Sequence, residues 1–346
     1  MNCVILIPAY NPSDKLLKLL KELKKDKYKI IIVNDGSSKD NKIFSKLKDM
    51  KYTVLEYSEN HGKGYALKYG IKYYLKNLKD KYDGIITVDA DYQHLPKDIN
   101  KIATSITSDT IVLGSRDFNL KSVPILNRIG NKITSMVFKL LYGFKITDTQ
   151  TGLRGIPNKY LEEAIQIDGD RFEYEMNFLI YFVNHKISLK EIFIETVYYE
   201  RSESKFHKVI DSIRIYRILL KESFRFLVTS LISSGLDLTL FTLFLYVFSV
   251  FGNDLSIILS TFFARIIADF LNLNLTRLFV FDTKEDFKQI LWKYYVLSFS
   301  KLFASALLVL LISKLLPFNK TLIKMVVDIT IYFISYMVQK KYIFKT

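Results

Sequence analysis

Residues 84–96 read GIITVDADYQHLP, an apolar run that closes on Asp89-Ala90-Asp91 and passes through a polar turn to a proline. A short apolar run of this kind is a buried strand, and carboxylates at its end place polar chemistry at the strand's carboxyl edge. The same design repeats on both sides. CVILIP (3–8), KIIIVN (29–34), YTVLEY (52–57) and TIVLG (110–114) alternate with helical patterns at 15–25, 42–49, 64–78 and 96–105. Strands apolar on both faces, separated by helices, predict an α/β fold with a mostly parallel sheet covered by helices. Ligands of such sheets bind beyond the carboxyl ends of the strands. Those ends carry Pro8-Ala9-Tyr10-Asn11, Asn34-Asp35-Gly36-Ser37, Asp89-Ala90-Asp91 and Gly114-Ser115-Arg116.

Each cluster suggests a task. Asp89 and Asp91 offer hard oxygen ligands, with Gln93 in reach, and suit Mg²⁺ or Mn²⁺ carrying a diphosphate, because these ions share their coordination shell with substrate phosphates. His94 reads as a supporting or surface residue. Asn60-His61-Gly62-Lys63-Gly64 precedes a helix, so its glycines permit close backbone approach while Lys63 and the helix N-terminus meet phosphate. Asp35 can accept from a base or ribose hydroxyl, or simply form an Asx turn with Gly36-Ser37. No GxGxxG follows the first strand and no GxxxxGK[ST] occurs, which removes the main support for dinucleotide oxidoreductases and P-loop hydrolases.

Of the 346 residues, 49% are hydrophobic and 25% charged, with a net charge of +15. The charge thins out after Ser223. Residues 226–251 hold Asp237 as their only charged residue, long enough to cross about 30 Å of hydrocarbon as a helix. Three further segments follow: 255–275 with Arg265 and Asp269, 294–312 with Lys301, and 321–338 with Lys324 and Asp328. The reading is therefore four spans. Bases flank the spans at Arg277, Lys284, Lys288 and Lys293 and again at Lys340, Lys341 and Lys345, which puts both termini and the N-terminal part on the cytoplasmic side. Residues 206–224 read as one amphipathic helix lying at an anionic bilayer surface. The lone Cys3 excludes an intrachain disulfide and a Cys-rich zinc site. The start of the chain lacks a signal-peptide pattern. Basic charge without a basic-aromatic recognition module argues against nucleic acid. A homo-oligomer is compatible with the sequence, which does not fix the assembly.

IPAYN (7–11), NDGS with Asp40 (34–40), NHGKGYAL (60–67), DADYQHLP (89–96), GSR (114–116), DTQTGLRG (148–155), RFEYE (171–175) and SKF (204–206) occur in this order. Together they resemble the family 2 glycosyltransferases of type A fold, specifically the polyprenyl-phosphate and dolichol-phosphate sugar transferases, over nearly all of residues 1–220. The resemblance implies a UDP- or GDP-linked sugar donor, undecaprenyl or dolichyl phosphate as acceptor, Mg²⁺ or Mn²⁺, and inversion at the anomeric carbon. By the same resemblance, Pro8, Tyr10, Asn11, Asp35, Gly62, Lys63 and Asp89 hold the donor, and Asp89, Asp91 and Gln93 the metal. Asp91, Arg116, Arg128, Asp148 and Arg201 carry catalysis, with Arg128, Arg201 and Lys205 on the acceptor phosphate. Glu175 is a further candidate for orienting arginines or sugar hydroxyls. Pro12 stands where many relatives have an acid, and Asn34-Asp35 where they have two acids. Residues 224–238 and 270–281 resemble the GtrA-like four-span proteins. The implied domains are a cytoplasmic transferase (1–205), an interfacial helix (206–224) and a GtrA-like membrane domain (225–346).

Such a reaction needs no strong protein base, because a phosphomonoester with its second pKa of about 6 is already an anion near neutral pH. It needs neutralisation of the departing diphosphate, which a metal and arginines supply. Two other readings remain at this level. A polysaccharide-extending transferase would resemble this chain through its Asp-x-Asp but would add a Gln-x-x-Arg-Trp segment, whereas the single tryptophan is Trp292. A translocator of lipid-linked sugar would use the charges inside the spans.

Overall fold

The computed structural model describes residues 2–26, 28–120, 123–195, 197, 208–281, 283, 285–315 and 318–344. The chain divides into two compact units, residues 1–219 and 220–346.

The first unit is built on a seven-stranded sheet of order β3-β2-β1-β4-β6-β5-β7. Its strands are β1 (Cys3–Ala9), β2 (Lys29–Asp35), β3 (Thr53–Tyr57), β4 (Gly84–Thr87), β5 (Thr110–Arg116), β6 (Arg154–Pro157) and β7 (Ser188–Ile194). Central β1 is buried along its whole length, as its run CVILIPA demands, while the edge strands β3 and β7 are only part-covered. The helices between them are α1 (Asp14–Leu23), α2 (Ile43–Asp49), α3 (Lys63–Asn77), α4 (Pro96–Ser105), α5 (Ile125–Tyr142), α6 (Leu161–Gln166), α7 (Glu173–Asn184) and α8 (Lys208–Leu219). Leu16, Leu19, Leu20 and Leu23 of α1 and Ile99 and Ile102 of α4 pack with β1 and β2 in the core. Each such buried side chain contributes about 1.5–3 kcal/mol.

The α/β reading with a mostly parallel sheet is what the chain adopts. β1 pairs in parallel with β2 and β4, β2 with β3, and β5 with β7. The exception is β6, antiparallel between β4 and β5. This reversal has a functional consequence. An antiparallel strand starts at the edge where parallel strands end, and Arg154 pairs with Thr87 at that edge. The loop 148–153 is thereby delivered to the carboxyl ends of β4 and β5.

The second unit is helical: α9 (Lys221–Val247), α10 (Asn253–Leu275), α11 (Phe287–Leu315) and α12 (Lys320–Val338), with π-helical turns after α10 and α12. Helix α9 packs along α10, and α11 along α12. Among the described residues, three helical stretches are long and apolar enough to cross a membrane: Lys221–Phe251, Phe287–Leu315 and Leu322–Ile343. The fourth segment expected from sequence, 255–275, lies in the 23-residue α10, with Arg265 and Asp269 among its apolar residues. Most of the charges read inside the spans have partners. Asp237 pairs with Arg265 at 3.1 Å, Asp269 accepts from Ser298 at 2.7 Å, and Asp328 accepts from Ser305 and pairs with Lys324. The helix read as continuous over 206–224 is interrupted: α8 ends at Leu219 and α9 begins at Lys221.

Candidate active site

The turn after β4 holds Asp89 and Asp91. Tyr92 has a φ of 61°, a conformation costly for a bulky side chain that persists only where the surroundings enforce it. Here the enforcement is visible. The ring is buried, and its hydroxyl donates to both oxygens of Glu22 at 2.7 Å. The turn is thus fixed from behind, and the Asp91 carboxylate accepts from the Gln93 amide at 3.1 Å. His94 is buried, and burial pushes its imidazole below the usual value. Its Nδ1 accepts the Asp89 amide hydrogen at 3.2 Å.

Lys63, the first residue of α3, reaches across to this turn. Its Nζ lies 2.6 Å from Asp89 and 2.8 Å from Glu175, in the first turn of α7. Burial pushes the Asp89 carboxyl up, but the Lys63 ammonium, helped by His94 and Arg116, overrides it and holds the group at about 2. Burial also works against the Lys63 ammonium, and there Asp89 and Glu175 win, raising its pKa. At Asp91 burial and the neighbouring Asp89 outweigh His94 and Lys63 and push the carboxyl above the usual value.

Asp35 organises the loop before α3. Its carboxylate accepts from Tyr57 Oη at 2.8 Å, Asn60 Nδ2 at 2.8 Å, the His61 amide at 2.9 Å and the Gly62 amide at 3.0 Å. Both oxygens are engaged by the chain itself. Burial and then the bond to Asp35 push the Tyr57 phenol far up, which keeps it a donor. Gly62 sits at φ 106°, and a Cβ there would lie 2.6 Å from the Asp170 carbonyl, so only glycine fits. Asn11 ties the first strand's end to this edge: its amide donates to Ser37 Oγ at 2.8 Å, and its Oδ1 accepts from the Ser38 amide at 2.8 Å. Pro8 is buried within β1, beside Val33, and Tyr10 is exposed.

Arg116, the last residue of β5, meets the loop delivered by β6. Its Nε and Nη2 donate to the two oxygens of Asp148 at 2.6 and 3.0 Å, a bidentate fork on a fully buried carboxylate. Arg154 opens β6 from below. It donates to the Thr151 carbonyl at 3.0 Å and the Glu175 carbonyl at 3.1 Å, stacks on Phe178 at 4.9 Å, and is driven below the ordinary guanidinium value by burial. Arg128, in the first turn of α5, donates to the Leu120 carbonyl at 2.8 Å. Arg201 and Lys205 lie outside the described residues.

The structure thus joins Lys63, Asp89 and Glu175 in one cluster, with Asp91 on the same turn and Arg116, held by Asp148, contributing to the field at Asp89. The Glu175 carboxylate pairs with Lys63, and its main-chain carbonyl accepts from Arg154. Arg154 and Gly152 were not singled out by sequence. Gly152 is decisive for shape, since a Cβ there would lie 2.3 Å from Asp89 Oδ2. Gly152→Ala is therefore expected to turn the Asp89 carboxylate and raise the donor Kd by about tenfold or more. Calorimetric titration with the donor measures it, and wild-type affinity would show that the Asp89 position is irrelevant.

Among the described residues no group of three or more His, Cys, Asp and Glu could hold a metal ion. The donor set fits Mg²⁺ or Mn²⁺ in a narrower sense. Asp89 raises the Asp91 carboxyl, so two carboxylates repel each other across one turn, and such ions take one or two carboxylates with substrate phosphates completing the shell.

A family model described as glycosyl transferase family 2 matches residues 4–164. A protein of Methanocaldococcus jannaschii is 35% identical over 228 residues, covering 64% of this chain and 92% of that protein. The UDP-N-acetylglucosamine–dolichyl-phosphate N-acetylglucosaminyltransferase of Methanococcus voltae is 31% identical over 239 residues, covering 62% of this chain and 94% of that enzyme. The undecaprenyl-phosphate mannosyltransferase of Micrococcus luteus is 24% identical over 190 residues, covering 51% and 77%.

Proposed function

From the premise that this chain belongs to glycosyl transferase family 2, we propose that it transfers a sugar from a UDP- or GDP-linked donor to polyprenyl phosphate at a membrane. The observation that carries the reading is the Asp89–Asp91 turn, set beside Lys63 and Arg116 at the sheet's carboxyl edge, in a chain with helices able to span a bilayer. The similarity to enzymes named for dolichyl and undecaprenyl phosphate supports the acceptor class.

The chemistry is a displacement. An oxygen of the lipid phosphate bonds to the anomeric carbon, the bond from that carbon to the donor's diphosphate oxygen breaks, and the nucleoside diphosphate leaves with the electron pair. The acceptor is already an anion, so the chain has to hold two like-charged reactants together and to stabilise the leaving group. A divalent ion held by Asp89 and Asp91, with Gln93 nearby, supplies charge to the diphosphate when bound. Lys63, at the N-terminus of α3, is placed to exchange its carboxylate partners for phosphate oxygens. Asp148 fixes the Arg116 fork, which faces phosphate in a defined plane. Asp35 acts on the donor side by shaping the loop 60–62, and Pro8, Tyr10 and Asn11 border the same edge. Arg128, with Arg201 and Lys205, is assigned to the acceptor phosphate. Inversion at the anomeric carbon follows the resemblance to this family.

The same reading places residues 1–205 and both termini on the cytoplasmic side and treats residues 225–346 as a GtrA-like four-span domain, α10 being the additional span. The pairing of Asp237 with Arg265 supports a structural role for these charges and favours anchoring over translocation. The test is incubation of the purified full-length protein in detergent with undecaprenyl phosphate and a panel of UDP- and GDP-sugars, with the lipid product read by mass. A single donor class is expected to yield a lipid phosphate one sugar heavier. No lipid-linked product from any donor, with the acceptor soluble and Mg²⁺ or Mn²⁺ present, would overturn the assignment.

A further inference from the structure

Arg154 has no task in the chemistry above, yet it lies at the foot of the site with only 3% of its surface exposed. Its Nε donates to the Thr151 carbonyl at 3.0 Å, its Nη1 to the Glu175 carbonyl at 3.1 Å, and its plane stacks on Phe178 at 4.9 Å. Both acceptors are main-chain carbonyls, and among the described residues Nη2 finds no hydrogen-bond partner. That is a costly arrangement. A guanidinium taken out of water is best offset by a carboxylate fork, and an apolar side chain of similar volume would fill this place without the desolvation. Packing alone does not account for an arginine here.

The two carbonyls lead to the same place. Thr151 precedes Gly152, which lies so close to Asp89 that a Cβ on it would stand 2.3 Å from Asp89 Oδ2. Glu175, whose carbonyl takes the other arm, holds Lys63 with its carboxylate at 2.8 Å, and Lys63 holds Asp89 at 2.6 Å. The contacts therefore run from Arg154 to one carboxylate by two routes, through residues 151–152 and through Glu175 with Lys63. The loop is also pinned to the sheet, the Gly152 carbonyl by Thr87 Oγ1 at 2.7 Å and the Leu153 carbonyl by the Gly114 amide at 2.8 Å. Arg154 adds the link from that loop to α7. A planar fork fixes the separation of two carbonyls, which a flexible ammonium does not.

We propose that Arg154 is a positioning residue: it clamps the loop 148–153 to the start of α7 and so sets, from both sides, where the Asp89 carboxylate stands. A buried cation bonded to main-chain carbonyls serves this end because it specifies a geometry. For the reaction it serves, the proposal rests on the sugar transfer read above. The clamp itself is read by hydrogen exchange without turnover, so failure of the transfer reading and failure of the clamp are distinct results.

The test uses full-length protein in detergent. Arg154→Lys is expected to speed amide exchange by about tenfold at Leu153, in the turn 89–93 and at residues 174–175, while β1 and β2 keep their wild-type rates. In the transfer assay kcat/KM for the donor is expected to fall about tenfold. Adding Gly152→Ala, which acts on the same carboxylate, should cost little more. Arg154→Gln keeps one donor arm without the charge and is expected to match Arg154→Lys. The control is Ile5→Val in the core of β1, which lowers the melting temperature by a few degrees and leaves exchange at the site and kcat/KM unchanged. Should Arg154→Lys fail to fold, Phe178→Leu removes only the stacked ring and is expected to show the same local pattern at smaller amplitude. Exchange that is unchanged, or raised evenly across the sheet, overturns the proposal. So does a normal Arg154→Lys beside a defective Arg154→Gln, which would leave charge alone as the function, and so do losses that multiply with Gly152→Ala. Wild-type protein that transfers no sugar would sink the transfer reading, and the exchange pattern would still decide the clamp.

Discussion

Asp91→Asn is expected to lower kcat/KM for sugar transfer by about 10²–10³-fold, the loss that follows removal of one preorganised electrostatic partner of a transition state. The fold should not pay for it. The asparagine Oδ1 can still accept from the Gln93 amide, the contact that Asp91 makes at 3.1 Å. The turn is independently held by Tyr92 on Glu22. Removing the charge also relieves the burial penalty and the repulsion from Asp89 that together push the Asp91 carboxyl up. The melting temperature is therefore expected to stay within about 2–4 °C, the shift that about 1 kcal/mol produces in a unit of this size. What is lost is an anionic oxygen, and an amide is a poorer ligand for a hard divalent ion. Turnover measured across a Mn²⁺ titration decides the matter. Wild-type turnover with unchanged metal dependence would remove Asp91 from the metal role.

Much of the first unit was legible because its signals are local. The apolar runs at β1, β2, β4 and β5 and the helical spacing of α1 and α4 fix their own elements, and 96–105 agrees with α4 at both ends. Strand β6 escaped for a physical reason. Four residues, Arg154–Pro157, carry no period of their own, and their antiparallel pairing depends on neighbours β4 and β5. Helix α5 escaped because it is apolar on two opposite sides, which blurs the single stripe that identifies a surface helix. The break at Leu220 has no glycine or proline to announce it. Within the site, the Asp89–Asp91 pair and the glycines before α3 were readable as residue types. The partnership of Lys63 with Glu175 was not, since it exists only after α7 is folded against α3. Asp35 shows the limit most plainly. By residue type it reads as an acceptor for a base or ribose hydroxyl or as an Asx turn, and at the end of β2 the fold uses both its oxygens to hold Tyr57, Asn60 and the amides of His61 and Gly62.

The second large effect is expected at the Arg116–Asp148 pair. Arg116→Lys keeps the charge but replaces a planar fork by a point donor. Asp148 is fully buried, and besides the guanidinium it accepts from the amides of Arg116 and Gln150. An ammonium in place of the fork cannot make both 2.6 and 3.0 Å contacts to the two oxygens and still face a phosphate in the same plane. A displacement of about 1 Å at such a group costs about 10²-fold, and that is the expected fall in kcat/KM for Arg116→Lys. Asp148→Asn is expected to cost a similar factor by a different route. The guanidinium remains, but the anion that sets its direction is gone. Because each change disables the same device, the double variant should fall little below either single one, whereas independent sites would multiply their losses. The cycle has to be read on kcat/KM for both donor and lipid phosphate, since loss of general stability would lower active enzyme without separating the two. Multiplying losses would show that Arg116 and Asp148 act independently. Normal kinetics for Arg116→Lys would make the pair a structural brace between β5 and the loop before β6, and would leave phosphate neutralisation to the metal site and Lys63.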